Sequence, residues 1–345
     1  MSAQDTLTPR SRHDRGYKFL FASKKIFLDL LRCFVRLGWV DRIDGEDDLE
    51  PVNKSYVLPD FSGKEADVVY RVRLKGRTVF FLLLELQSDV DFLMPLRLLL
   101  YQAEILRDWL KGVPKRMRRR KGLQVPAVVP LVLYNGKRRW TAARRYREVV
   151  ERAQDFGQEL LDFGYVLIDV NRYGEEELLA LANAIGAVFY LDRTVKDTEE
   201  LVERLRKVLE LLKQMSAEEQ AYVVQWIRYA VVERLGKPER EAVDAAIEAA
   251  KGREVGQMIT NIERSIDRIK RRLRAEARAE GRAEGLAEGH AEGLAQGMAK
   301  GRVEGRAEEK RALAKKLLLR GMAAEEVAEL TELSIDEVSR LKQES

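Results

Sequence analysis

Residues 65–87 read EADVVYRVRL (65–74), KGR (75–77) and TVFFLLLELQ (78–87). The two longer runs are rich in β-branched and aromatic residues, and the short turn between them contains Gly76. This pattern predicts a β-hairpin of two antiparallel strands. The second strand is apolar on both faces, which is typical of a strand in the interior of a sheet. Helical patterns before and after the hairpin favour an α/β core over an all-helical fold.

The acidic side chains of this hairpin are the candidate site. Because side chains alternate between the two faces of a strand, Glu85 and Gln87 point to the same side. A three-residue loop at 75–77 would place Asp67 directly across from Glu85, with Cβ atoms about 5 Å apart, whereas a two-residue loop would place Ala66 there. Two carboxylates at that distance repel each other by roughly 3 kcal/mol at an effective dielectric constant near 20. A divalent cation between them would remove this repulsion.

An acid on one strand followed by Glu-x-Gln at the end of the next apolar strand resembles the PD-(D/E)XK phosphodiesterase core. The surrounding sequence resembles one branch of that superfamily, the Rpn-type recombination-promoting nucleases, which are also described as putative transposases. The resemblance covers roughly the first half of the chain, and the tail is similar in style. The matching stretches are residues 13–14, 17–21, 66–72, 84–88, 95–97 with Tyr101, and 130–136 with Trp140.

The resemblance implies a metal-dependent DNA endonuclease with a mixed sheet flanked by helices. Asp67 and Glu85 would hold Mg²⁺, or Mn²⁺ or Ca²⁺, and a metal-bound water would attack the phosphodiester. Gln87 stands where many relatives in the wider superfamily carry Lys, so we count it as a catalytic residue that orients groups without supplying charge. Asp14 opens the first predicted helix. It is either a third metal ligand, as in the resembled family, or the N-terminal cap of that helix.

Basic residues indicate an acidic polymer as the partner. The net charge is +5, and charged residues make up 34% of the chain. Arg97 and Tyr101 lie one helical turn apart, and the resemblance places them near the site, facing phosphate. Two basic runs are candidates for sequence-independent contacts with DNA phosphates, although a solvated loop explains the first run equally well. These runs are Lys115, Arg116, Arg118, Arg119, Arg120 and Lys121, and then Lys137, Arg138 and Arg139.

The scarcity of Cys and His excludes several classes of site. The sequence contains one cysteine, Cys33, and two histidines, His13 and His290. A single cysteine rules out an intramolecular disulfide, and this set cannot assemble the usual zinc sites. Carboxylate and metal chemistry therefore remains. No apolar run reaches the length of a membrane span, so we expect a cytoplasmic protein that does not contact membranes.

Apolar periodicity and glycine content divide the chain into five segments. We expect a flexible arm at 1–12, the nuclease-like core at 13–174, a helical region at 175–274, a Gly/Ala/Glu repeat at 275–309 and a small helical unit at 310–345. The predicted fold is thus a PD-(D/E)XK-like α/β core followed by an all-helical C-terminal region.

The repeat has glycine at every fourth position from Gly281 to Gly305. A four-residue step overshoots one helical turn by about 40°, so each stripe of residues winds around the helix. Each interior glycine also costs about 1 kcal/mol relative to alanine. Two interpretations stay open. The segment is a frayed, solvated helix or linker, or it gains order by packing against a second copy, which would make a homo-oligomer through the C-terminal helices.

Three classes of function are compatible with these features. The leading hypothesis is a metal-dependent DNA endonuclease that hydrolyses phosphodiester bonds and promotes recombination or the transfer of mobile elements. The second is a catalytically weak or inactive nucleic-acid-binding protein on a nuclease fold, since Gln87 replaces a cation. The third is a self-associating helical structural protein in which the tail is the functional part.

Overall fold

The computed structural model describes residues 9–52, 57–58, 64–65, 67–74, 77–250 and 254–343. The chain divides into two compact units, Met1–Arg271 and Arg272–Ser345, and each is described by itself.

The first unit contains a mixed sheet. The strands are β1 (Leu49–Pro51), β2 (Val57–Leu58), β3 (Lys64–Glu65), β4 (Val68–Leu74), β5 (Arg77–Gln87), β6 (Ala127–Tyr134) and β7 (Val166–Asp169). The five-stranded sheet has the order β1-β4-β5-β6-β7, and β2 and β3 pair separately. β1, β4 and β5 are antiparallel neighbours, while β5, β6 and β7 run parallel. The carboxyl ends of β5, β6 and β7 therefore meet at one edge of the sheet.

Helices pack on the sheet and make up most of the chain after it. They are α1 (Pro9–Leu20), α2 (Lys24–Phe34), α3 (Met94–Gly112), α4 (Lys115–Arg118), α5 (Glu175–Ala180), α6 (Ala184–Asp192), α7 (Thr198–Leu212), α8 (Ala217–Trp226), α9 (Lys237–Glu248), α10 (Val255–Leu319), α11 (Ala324–Thr331) and α12 (Ile335–Gln343). This arrangement confirms the predicted fold class, a mixed sheet flanked by helices and followed by a long helical region. None of the described helices combines the length and the apolar character that crossing a bilayer requires.

The turn of the β4–β5 hairpin differs from the expected three-residue loop. Leu74 pairs with Arg77, so the loop has two residues, and the pairing then shifts by one residue between Val72 and Arg73. A β-bulge of this kind adds one residue to one strand. The shift restores the register that a three-residue loop would have produced, because Val68 pairs with Leu84. The loop prediction was wrong, yet the bulge brings the same residues opposite each other.

The two faces of the sheet pack against different helices. On one face, residues of β4, β5 and β6 share an apolar core with Leu98 and Ile105 of α3. On the other face, the ring of Tyr70 stacks on Phe27 of α2 with centroids 4.2 Å apart. The Tyr70 hydroxyl also donates a hydrogen bond of 2.7 Å to the carbonyl oxygen of Phe21.

The first predicted core helix, from residue 14 to residue 37, is two helices in the structure. α1 ends at Leu20, and α2 begins at Lys24 after the N-cap Ser23, whose hydroxyl accepts a hydrogen bond from the amide of Ile26. A serine whose side chain accepts a hydrogen bond from the first turn begins a new helix. The helical spacing of apolar residues therefore continues past Ser23, although the helix itself is interrupted there. Asp14 lies inside α1, so it is not the helix cap.

The second unit has its own small core. The end of α10 packs against α11 and α12 through Ala314, Val327, Ala328, Val338 and Leu341. Ser334 caps α12, since its hydroxyl accepts a 3.3 Å hydrogen bond from the amide of Glu337.

The Gly/Ala/Glu repeat of the second unit is helical throughout. No heavy atom lies within 4 Å of a Cβ built at any glycine from Gly281 to Gly305, and the residues around these glycines are exposed. In the single chain, the repeat is therefore an exposed stretch of α10.

Candidate active site

The predicted pair of carboxylates meets where β4 begins and β5 ends. Asp67 directly precedes β4, and its amide donates a hydrogen bond of 3.4 Å to Oε1 of Glu85. In return, the amide of Leu86 donates a bond of 2.9 Å to Oδ2 of Asp67. The hairpin register thus places Asp67 beside Glu85.

Glu85 is a buried carboxylate. Its residue is only 1% exposed, and Nη2 of Arg97 lies 2.8 Å from its Oε2. Burial, and then the charge of Asp67, raise the pKa of Glu85 to about 8, although Arg97 acts in the opposite direction. A negative charge on the buried Glu85 carboxylate costs free energy unless enough positive charge surrounds it. An additional cation would therefore stabilise the ionised form of Glu85.

Arg97 holds Glu85 in place and does not reach solvent. The residue is 1% exposed, and its Nη1 lies 2.6 Å from Oδ2 of Asp91. Tyr101 is fully buried in the core next to α3's other apolar residues. The expectation that Arg97 and Tyr101 face a phosphate is therefore not met in this structure, because both side chains lie beneath the surface. Arg97 instead joins the end of β5 to the loop before α3.

Lys18 is a site residue that sequence reasoning missed. Its Nζ lies 3.0 Å from Oδ1 of Asp67, and the lysine side chain is 42% exposed. The lysine belongs to α1 and Asp67 belongs to the hairpin, so only the folded chain brings them together. Lys18 and Arg97 each place a positive charge on one of the two carboxylates. From the sequence, we expected only a bound cation to relieve the repulsion between Asp67 and Glu85. In the structure, these two basic side chains relieve part of it.

Gln87 lies on the same face of β5 as Glu85 and is 6% exposed. Within the described part of the chain, no hydrogen bond to its side-chain amide is found. Its main-chain carbonyl oxygen accepts a hydrogen bond of 3.1 Å from the main-chain amide of Asn135. A nearly buried amide without a protein partner can serve a ligand or water as donor and as acceptor.

The donors of this site fit a hard divalent cation. Asp67 and Glu85 offer carboxylate oxygens and Gln87 offers an amide oxygen, which are the ligand types that Mg²⁺ and Mn²⁺ prefer, while water completes the coordination. The raised pKa of Glu85 agrees with that assignment. Among the described residues, no group of three or more His, Cys, Asp or Glu side chains is gathered for a metal. Two carboxylates are thus the acidic part of the site.

The predicted basic residues lie at the surface, in two separate places. The run from Lys115 to Lys121 covers α4 and the turn after it, and all of its side chains are exposed. Lys137, Arg138 and Arg139 are also exposed, in the turn that follows β6. Two open cavities of about 700 Å³ and about 580 Å³ border that turn.

A buried polar network supports the ends of β5 and β6. Oδ2 of Asp192 accepts a 2.6 Å hydrogen bond from the hydroxyl of Tyr17 and a 3.0 Å bond from Nδ2 of Asn135. Nδ2 of Asn171 donates to the carbonyl oxygens of Asn135 and Gly136 over 3.2 Å and 3.0 Å. The turn that carries the basic residues is therefore tied to α1 and α6. No sequence pattern indicated this network, because its members lie far apart in the chain.

The comparisons with known proteins identify one family. A family model described as a putative transposase, YhgA-like, matches residues 11–222, an interval that contains the sheet and the whole candidate site. No curated protein and no solved structure gives a significant match. Since the family model spans well over half of the chain, the protein belongs to the YhgA-like putative transposase family.

Proposed function

We propose that this protein is a metal-dependent endonuclease that hydrolyses phosphodiester bonds in DNA, in the service of recombination or mobile-element transfer. Membership of a transposase family supports an activity on DNA. The observation that carries the proposal is the mutual contact of Asp67 and Glu85 at the edge of a mixed sheet, with Glu85 buried and the Asp67 side chain 15% exposed.

Asp67 and Glu85 would hold the cation, and Gln87 is the neutral group beside them. A bound Mg²⁺ supplies a more acidic water and offsets charge on the phosphate oxygens. Arg97 keeps the Glu85 carboxylate at the end of β5, because its guanidinium is fixed by a second ion pair to Asp91. Gln87 orients a water or a phosphate oxygen through its amide.

Lys18 supplies the positive charge that Gln87 lacks. Its ammonium group already lies within 3.0 Å of Asp67, and its partial exposure allows it to approach a phosphate at the same edge. A cation of this kind stabilises negative charge that develops on the phosphate in the transition state. The charge that many relatives in the wider superfamily place on β5 would here come from α1.

A second candidate function is supported by the same ion pairs. Lys18 and Arg97 neutralise both carboxylates without any metal, which favours a protein that binds nucleic acid through its basic surface but does not cleave it. In that case the exposed runs at 115–121 and 137–139 are the functional part, and binding weakens steeply with added salt.

Cleavage of supercoiled plasmid by the purified full chain separates the two candidates. We expect nicked and linear products with Mg²⁺ and none with EDTA. Asp67→Asn is the sharpest variant, because an amide oxygen still accepts the bond from Leu86 while the charge is lost. Asp47→Asn, at an exposed carboxylate away from the site, is the matched control.

The outcomes distinguish the hypotheses directly. Loss of nicking in Asp67→Asn and Glu85→Gln, with normal nicking in Asp47→Asn, supports the endonuclease. Nicking by Asp67→Asn at the wild-type rate would exclude the assigned site. Salt-sensitive binding without any Mg²⁺-dependent nicking would favour the binding protein instead.

A further inference from the structure

A cavity opens beside the candidate active site. It has a volume of about 700 Å³, within the range of pockets that hold small organic ligands. It begins where β5 ends, since Ser88 lies in its wall and directly follows Gln87. Its wall also contains Phe92, Lys137, Arg138, Arg139 and Thr141.

The basic turn of this cavity is fixed against the end of β5. A Cβ added at Gly136 would lie 2.4 Å from the carbonyl oxygen of Ser88 and 2.3 Å from the hydroxyl of Tyr134, so only glycine allows this close approach. The Tyr134 hydroxyl donates a 2.7 Å hydrogen bond to the carbonyl oxygen of Arg138. The backbone that carries Lys137, Arg138 and Arg139 is therefore held in place relative to Gln87.

The lining is suited to a phosphate. Three cations and one carboxylate, Asp89, give the wall a net charge of +2. Lys137, Arg138 and Arg139 also border a second cavity, of about 580 Å³. Its wall further contains Arg172 and the carboxylate of Asp169, which pair over 3.3 Å. Arginine and lysine at such positions bind phosphate oxygens without reading the base sequence.

An exposed aromatic ring stands in the same wall. Phe92 is 65% exposed, at the turn before α3. A base inside a duplex has both faces covered by its neighbours, so an exposed ring can stack only on a base that is unpaired and unstacked. A cationic wall combined with an open aromatic ring is the pattern of sites that bind single strands.

We propose that this cavity binds an unpaired nucleotide of a single-stranded nucleic acid. Phe92 stacks on the base, and Lys137 and Arg139 hold the adjoining phosphate. The inference rests on the proposed action on nucleic acid and narrows it, because it places a single-stranded segment, in DNA or in RNA, next to Gln87. A substrate with a bubble, flap or single-stranded end would fit this site better than uninterrupted duplex.

Fluorescence anisotropy of labelled oligonucleotides tests the proposal in EDTA, where no cleavage occurs. The probes are a mixed-sequence DNA strand, the RNA strand of the same sequence and the DNA duplex of the same length. We expect the full chain to bind a single strand more tightly than the duplex. Phe92→Ala should weaken single-strand binding by about fivefold or more and leave duplex binding nearly unchanged. Phe92→Trp should keep the affinity, because its ring still stacks.

Phe156→Ala is the matched control, since Phe156 is 52% exposed and lines neither cavity. The proposal is overturned if Phe92→Ala binds single strands as wild type does, if it loses duplex affinity equally, or if Phe156→Ala has the same effect. Tighter binding of duplex than of both single strands by the wild type also overturns it. A preference for the DNA strand or the RNA strand supports the proposal and identifies the source of the nucleotide.

Failure of this inference can be told apart from failure of the endonuclease. If Phe92-dependent binding is found and plasmid is never nicked, the cavity assignment stands and the catalytic assignment falls. If plasmid is nicked and Phe92→Ala leaves single-strand binding intact, the catalytic assignment stands and the cavity assignment falls.

Discussion

Arg97 is the residue on which the geometry of Glu85 depends. Two of its guanidinium nitrogens contact Glu85 and Asp91, and the side chains of Arg97, Glu85 and Asp91 are 1%, 2% and 20% exposed. In the described part of the chain, its Nε is buried without a hydrogen-bond partner. A buried pair of this kind contributes little net stability, yet the removal of one partner leaves the other charge uncompensated.

We therefore expect Arg97→Met to lower the free energy of unfolding by about 3–5 kcal/mol. Arg107→Met, at an arginine that is 66% exposed and pairs with Glu104, should change it by less than about 1 kcal/mol. Urea denaturation followed by circular dichroism measures both. Adding Glu85→Gln to Arg97→Met should recover part of the loss. An Arg97→Met protein as stable as Arg107→Met would contradict this account.

Lys18 tests the origin of the positive charge at the site. Lys18→Met should reduce the Mg²⁺-dependent nicking rate by about a hundredfold, the cost typical of removing one positioned group that stabilises transition-state charge. Lys18→Arg should retain most of the activity, because it keeps the charge. Thermal unfolding should hardly change in either variant, since the lysine is 42% exposed. Nicking by Lys18→Met at the wild-type rate would remove Lys18 from the proposed mechanism.

At this scale the sequence predicted the acids but not their partners. Asp67, Glu85 and Gln87 follow from strand alternation and from the family resemblance. Lys18 and Arg97 lie on helices whose placement against the hairpin depends on tertiary packing, so no local pattern reveals which carboxylate each contacts. Arg97 in particular was expected to face a phosphate and is instead buried.

The turn after β6 shows how one element positions another. At Gly136 a Cβ would lie within 2.4 Å of the backbone at Ser88, whereas at Gly122 nothing lies within 4 Å. Gly136→Ala should therefore lower the free energy of unfolding by about 1–3 kcal/mol, while Gly122→Ala should change it by less than about 0.5 kcal/mol. Urea denaturation of the two variants makes the comparison. Equal stability would show that the turn is not packed on β5 as described.

An ion pair joins α2 to α8. Nζ of Lys25 lies 2.7 Å from Oε1 of Glu219, a residue that is 8% exposed. Burial alone would raise the pKa of Glu219, but hydrogen bonds from Lys25 and Ser216 outweigh it and hold the pKa below its ordinary value of 4.5. A lowered pKa in the folded state stabilises the protein above the unfolded pKa, and the gain is lost as the pH falls through the folded value.

Glu219→Gln keeps the capping bond of α8 and removes the charge, so it isolates this effect. The variant should be less stable than wild type by about 0.5–1 kcal/mol near neutral pH, a modest value because Lys25 is partly exposed. The difference should shrink as the pH falls below about 4.5. Urea titrations at several pH values measure it, with Glu218→Gln at an exposed neighbour as the control. A difference that does not change with pH would contradict the assignment.

The hairpin shows what could and could not be predicted about elements. Residue composition identified both strands, and the pairing of Asp67 with Glu85 was expected from the loop length. The structure reaches that pairing by a two-residue loop and a bulge, and bulges leave no clear mark in a sequence because their one extra residue can be of any type. The break between α1 and α2 was missed because the apolar period runs through Ser23.

For the molecule as a whole, alternating strand and helix patterns were enough to predict a mixed sheet followed by helices. These patterns could not predict whether the Gly/Ala/Glu repeat is a stable helix. Its glycines argued for a marginal helix, and the structure contains one continuous helix, α10, through residues 255–319. Low intrinsic propensity is a weak guide when strong helix formers, here Ala, Glu and Arg, occupy the intervening positions.

The central claim is that Asp67 and Glu85 share one divalent cation. Anomalous diffraction from crystals of the full chain soaked with Mn²⁺ tests it most directly. The account predicts an anomalous peak bonded to carboxylate oxygens of both residues, at about 2.1–2.2 Å, and no such peak in Asp67→Asn crystals. Mn²⁺ bound only elsewhere, with Lys18 and Arg97 still paired to the two carboxylates, would contradict it.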